Sequence, residues 1–140
     1  MIEYYLTAKY KDGARGENGF YDCWGLAREA RVTLYNRELL DSHGGEYQHD
    51  PAGFTREYKD QASTMVELAA PVAGAIIAVL RKKYICTHVA LVIHDVNQTG
   101  LGLHVLEINP GQGVRIWPLR DFLKAHSLRT IKFYDDKSLS

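Results

Sequence analysis

The sequence predicts an α+β fold in which an N-terminal helix carrying a cysteine packs on an antiparallel sheet of about five strands. Three features point there. From Asp22 onward, Leu26, Ala30, Thr33 and Leu34 recur at the i, i+4, i+7, i+8 spacing of an amphipathic helix. After Pro71 the pattern changes to short β-rich runs divided by turn formers. The order is thus helix first and then the sheet, an α+β arrangement. The 140 residues, 46% hydrophobic and 24% charged, are expected to form one domain, 1–140, that buries a core without disulfides or metals.

In chain order, residues 1–19 mix tyrosines, charges and glycines without a period and read as an extended arm and loop. The helix follows, N-capped by Asp22 and running to about Asn36, which sets Cys23 in its first turn. Segment 39–51, with SHGGEYQHDP, is dense in turn formers, and a short helix is expected from about 53 to 68. Three runs then suggest an antiparallel meander: AIIAVL at 75–80, THVALVI at 87–93 and LGLHVLEIN at 101–109. GVRIWPL at 113–119 follows a PGQG turn, DFLKAH is a helical turn, and LRTIKFYD at 128–135 is a last strand.

Lysine plus arginine balance aspartate plus glutamate at 17 each, which removes the bulk electrostatic case for nucleic acid or an anionic membrane. No apolar run approaches the roughly 18 to 20 residues of a membrane span. Residues 1–10 lack a basic segment followed by an apolar stretch, so no signal peptide is expected and the chain reads as cytoplasmic, or as part of a particle assembled there. Cys23 and Cys86 lie far apart without metal-ligand spacing, so neither a metal nor another cofactor is expected.

A thiol attacks as thiolate, and the unpaired N–H groups and dipole of a helix's first turn favour that anion. Cys23 holds that position and is the candidate nucleophile. Gly19 loosens the approach to it, and Gly25 is expected to leave room for a substrate backbone. His88 opens an apolar strand, sharing a face with Ala90 and Val92, and with Cys23 it completes a nucleophile and base pair. If 87–93 and 101–109 form a hairpin around DVNQTG, His94 faces Leu101 and His88 faces Glu107. Glu107 is then preferred to His104 as the group that orients the base, and a carboxylate better stabilises an imidazolium. Cys86, within YICTHV, reads as packed strand, and His43, His49 and Asp50 read as loop residues on which nothing converges.

The blocks GFYDCWGL, AGAIIAVLR, THVALVI and HVLEINPGQGV resemble, in order and spacing, the NlpC superfamily of papain-fold cysteine peptidases. The likeness runs over roughly residues 20–134 and is greatest to the bacteriophage tail-assembly branch, where Trp-Gly-Leu follows the cysteine. The resemblance implies a papain-like fold with Cys23 as nucleophile, His88 as general base and a third polar residue on the next strand. Aligning through PGQG places that residue at Glu107, whereas counting the family's Leu-His pair places it at His104. Tyr21 matches an aromatic that lies near the thiol in this family, and Tyr21, Asp22 and Trp24 are the expected substrate-binding residues. The implied substrate is an amide bond of a peptidoglycan stem peptide, and the implied partners are other phage tail proteins. The implied location is the host cytoplasm during assembly and then the virion's tail tip. One departure is Ala73-Gly74-Ala75, where the family often has Pro-Gly-Asp. Two further readings share these residues: a structural tail-tip or assembly protein with little turnover, and a thiol acyltransferase, which predicts a long apolar groove.

Overall fold

The computed structural model describes residues 1–139 and is an α+β fold. Its elements in order are α1 (Glu3–Leu6), β1 (Lys9–Tyr10), β2 (Phe20–Tyr21), α2 (Cys23–Tyr35), α3 (Pro51–Ala62), β3 (Met65–Leu68), β4 (Ile76–Arg81), β5 (Ile85–Ile93), β6 (His104–Asn109), β7 (Gly113–Pro118), α4 (Leu119–Ala125) and β8 (Thr130–Asp136). Six strands form one antiparallel sheet in the order β3-β8-β4-β5-β6-β7, while β1 and β2 make a small parallel pair. The meander from β4 to β7 follows the expected order, and β8 returns to lie between β3 and β4.

Strand alternation divides the core. On one face Ile76, Ala78, Leu80, Leu91, Ile93, Leu106 and Ile108 pack under α2 and α3, against Trp24, Leu26, Ala30 and Phe54. On the other, Ile77, Val79, Ala90, Val92 and Val105 pack under α4, against Leu119 and Phe122. Seven residues are too few for a helix to hold in water on propensity alone, so α4 depends on these two anchors; Phe122 is fully buried.

α2 forms where its cap and period predict. Asp22 has an extended backbone, its Oδ1 accepts from Gly25 N at 2.7 Å, and Asn36 closes the helix in the left-handed conformation. Its far half is tied to β8 by a buried network: Arg31, with no exposed surface, donates to Asp135 (3.2 Å), Asp136 (2.8 Å) and the Glu38 carbonyl (2.8 Å). Arg37 adds a second guanidinium to Asp135 and bonds the Ala73 carbonyl beside the Gly74 turn.

Four expectations change. The arm 1–19 is ordered, because Tyr5 and Ala8, three residues apart, bury under Tyr21 and carry α1 and β1 with them. The helix expected over 53–68 starts earlier and stops sooner. Asp50 caps it and Pro51 occupies its first turn, a pairing that favours initiation. The Ser63 and Thr64 hydroxyls bond back to the Asp60 and Gln61 carbonyls and end it, freeing Met65–Leu68 to become β3, the sixth strand. Finally, β6 begins at His104 and not at 101, because Asp95 gathers Thr99 and Gly100 into a turn and Gln98, Gly100 and Gly102 take positive φ.

Candidate active site

The register between β5 and β6 decides what His88 meets. Leu91 pairs with Leu106, Val92 with Val105 and Ile93 with His104, two residues off the predicted register that set His94 opposite Leu101. A one-residue slip would have turned every side chain over, whereas a two-residue slip keeps the faces. Glu107 therefore stays on the face of His88 and reaches it diagonally: His88 Nε2 and Glu107 Oε1 are 2.7 Å apart. His104 lies at the far end of β6, bonded through Nδ1 to the Gly102 carbonyl, and takes no part. A β-bulge also acts here, since Val79 pairs with His88 but Leu80 with Cys86, leaving Thr87 unpaired. The bulge lets Cys86 and Val89 both enter the core under α2 and α3 while His88 is aimed at the cleft.

Cys23 and His88 line one cleft of about 180 Å³, together with Asp22, Tyr10, Thr87 and Asn109. Cys23 sits half-buried at the first residue of α2. Glu107 occupies Nε2 of His88, so Nδ1 is the ring nitrogen left for the thiol. Burial alone would pull the imidazole's pKa down, but the Cys23 thiol and the Glu107 carboxylate outweigh it and push His88 up to about 9. Burial likewise works against the charge on Glu107, yet His88, Trp117 and Asn109 together hold its carboxyl below the usual range. The proton of this pair accordingly rests on the imidazole.

Asp22 does three structural jobs beside the thiol. One oxygen caps α2 at Gly25, while the other accepts from Gly13 N (3.1 Å) and Arg15 Nη1 (2.7 Å), so its carboxylate is fully engaged. Leu26 N donates to the Asp22 carbonyl, the first backbone bond of α2, which puts Cys23 among the helix's first amides, those without a partner inside the helix. Of the other expected substrate contacts, Tyr21 is buried with its hydroxyl donating to Glu29 (2.6 Å), and Trp24 is buried with its indole donating to the Asp41 carbonyl. Neither lines the Cys23 cleft. The aromatics that do are Tyr10, Tyr47 and Phe54, and β1 brings Tyr10 beside Tyr21; burial first, then the charges of Cys23, Asp12 and Asp22, push the Tyr10 hydroxyl up and keep it a neutral donor. No period betrays a two-residue strand, so the available signal for Tyr10 was only its place in an alternating TAKY stretch. Gly25 leaves no room for a substrate either, because a Cβ there would meet the Ala14 carbonyl at 2.3 Å: the close approach is made by the protein's own chain.

The segment between α2 and α3 forms the cleft's rim and is held by side chains. Trp24, Arg28 and Arg31, on one face of α2, donate to the carbonyls of Asp41, Leu40 and Glu38. Arg15 Nε reaches the Ser42 carbonyl, and Asp12 accepts from the amides of Tyr47 and Gln48. His43 closes the set against α3, pairing with Glu57 (2.7 Å) and Gln61 (3.0 Å), while Asp50 is spent capping that helix. Tyr47 stacks on Phe54, and behind this pair lies an apolar pocket lined by Trp24, Met65, Val89 and Tyr134. It holds only about 30 Å³, far short of the roughly 150 Å³ that admits benzene. Cys86 is fully buried, its thiol donating to the His88 carbonyl, and burial followed by the nearby Cys23 pushes it up to about 12.

No family model matches this chain, and no curated protein or solved structure matches it either.

Proposed function

We propose that this chain is a cysteine amidase of papain-like, NlpC type that cleaves a peptidoglycan stem-peptide bond as part of a phage tail, with Cys23 as nucleophile, His88 as general acid and base, and Glu107 orienting the imidazole. The observation that supports it most is one cleft holding a cysteine at a helix N-terminus and a histidine whose far nitrogen is bound, at 2.7 Å, by a buried carboxylate. That arrangement supplies a nucleophile at a helix N-terminus, a proton donor and a fixed ring orientation.

The chemistry follows from these positions. Cys23 Sγ attacks the amide carbonyl carbon, and the oxyanion is met by the Cys23 amide at the positive end of α2. As the C–N bond breaks, His88 gives its proton to the leaving amine, and a thioester remains on Cys23. Water then loses a proton to His88 and attacks the thioester, and the C–S bond breaks to return the thiolate. Amide chemistry is supported by the cleft; the cell-wall substrate and the tail are supported by the resemblance of the GFYDCWGL, THVALVI and HVLEINPGQGV blocks. The small apolar pocket does not favour the acyltransferase reading, which needs a long groove.

The test is digestion of purified peptidoglycan, with soluble muropeptides followed by mass spectrometry. Wild type is expected to release peptides cut at a stem amide, and Cys23→Ala to release none. Equal release by the two proteins would end this reading.

A further inference from the structure

We infer that Trp117 is a positioning residue of the Cys23–His88–Glu107 site, holding the Glu107 carboxylate through its indole N–H so that the shared proton stays on His88. The catalytic part of this inference rests on the hydrolase reading above; the hold on the carboxylate does not.

Each oxygen of Glu107 has one short contact, and the Asn109 side chain adds a smaller hold on the carboxylate. Oε1 faces His88 Nε2 at 2.7 Å, and Oε2 accepts from Trp117 Nε1 at 2.6 Å. The sheet builds this contact: Glu107 pairs with Arg115 and Val105 with Trp117, so the indole reaches the carboxylate diagonally from the same face of β7. The ring is itself clamped. Phe122 of α4 meets it edge-on at 5.7 Å, and the Arg115 guanidinium lies 3.4 Å from its centroid. A rigid donor thus fixes the plane of a carboxylate that is only 3% exposed.

The identity of the donor matters chemically. An indole N–H only donates, so Oε2 is always an acceptor. A neutral Glu107 would have to carry its proton on Oε1 and hand it toward His88, which the imidazolium form does not need. Donation from Trp117 therefore favours carboxylate plus imidazolium over two neutral groups. The other ionisable groups around this pair are Asp22 and Cys23 at the start of α2, Tyr10 from β1, Asp12 in the loop after it, Tyr47 of the rim, Cys86 on β5 and Arg115 on β7. Asp12 and Asp22 already have amide or guanidinium partners. Trp117 is the donor that comes within 2.6 Å of the second oxygen of Glu107.

Trp117→Phe keeps an aromatic ring and removes the donor. The titration midpoint of the His88 ring, followed by NMR, is expected to fall by about one pH unit, the scale of one charge-assisted hydrogen bond. On a muropeptide substrate kcat should drop about tenfold with KM within about twofold, and the alkaline limb of the profile should move to lower pH. A second measurement uses the unaltered chain. The Trp117 indole N–H resonance should move with the midpoint of His88, while that of Trp24, bonded to the Asp41 carbonyl, stays still. A wild-type His88 midpoint in the variant, or a Trp117 resonance that is flat through the titration, overturns the inference. If both resonances behave as expected but Cys23 proves inert to alkylation, the hydrolase reading fails and the hold of Trp117 on Glu107 stands.

Discussion

Glu107→Gln keeps the shape of the side chain and removes its charge, which turns the geometry of the pair into a stability curve. His88 is raised from 6.5 to about 9, a difference of about 3 kcal/mol at 1.36 kcal/mol per pH unit, shared between Cys23 and Glu107. Losing the Glu107 share should destabilise the protein by roughly 1 to 2 kcal/mol. The sign follows from the two shifts. Because the folded value of His88 lies above the unfolded one, its contribution is complete below 6.5 and is lost as the pH climbs through about 9. Glu107 is held below 4.5, so its contribution is present above 4.5 and lost as the pH falls through its lowered folded value. The gap between wild type and variant should therefore be widest between 4.5 and 6.5 and close toward pH 9 and above. Urea unfolding of both proteins across that range measures it directly. A gap as wide above pH 9 as at pH 6, or no gap anywhere, would show that the ion pair is not what Glu107 contributes.

Iodoacetamide applied to the native protein near neutral pH should modify Cys23 and spare Cys86, whose thiol is pushed up to about 12; peptide mapping that finds label on native Cys86 contradicts this. Asp22→Ala removes the cap of α2 and takes from Arg15 its carboxylate partner, leaving it only backbone carbonyls, so a loss of about 2 to 4 kcal/mol is expected in thermal or denaturant melts, and a loss below about 1 kcal/mol would mean the cap is dispensable. Arg31→Ala leaves Asp135 and Asp136 buried beside one remaining guanidinium, that of Arg37; about 3 to 5 kcal/mol should disappear from the unfolding free energy, and an unchanged denaturant midpoint would refute the network's role.

The parts of the site that were legible are those written in local patterns. Asp22 followed by a helical period locates Cys23, and an apolar strand opened by a polar residue locates His88. Glu107 was reached through a register two residues in error, and it survived because such a slip leaves strand faces unchanged. What stayed hidden depends on contacts between distant segments. Tyr10 enters the cleft through a two-residue parallel strand, and β3 lies in a stretch whose composition continues that of α3 until two hydroxyls end the helix. Adjacency in sequence also misleads at a helix start. Trp24 lies about 100° around the axis from Cys23 and so faces the core while its neighbour faces the cleft.

The ties on the rim segment have an evolutionary consequence. Trp24, Arg28, Arg31 and Arg15 grip carbonyl oxygens at Asp41, Leu40, Glu38 and Ser42, and a carbonyl is the same whichever residue carries it. The route of the rim is thus encoded in α2 and at Arg15, outside the rim itself. Glu38 and Ser42 can be exchanged without undoing these ties, whereas Leu40 also packs on the core and the Asp41 carboxylate accepts from His43 N. The floor of the cleft and its rim can therefore diverge at different rates, the rim by drift in a stretch that has no regular structure of its own.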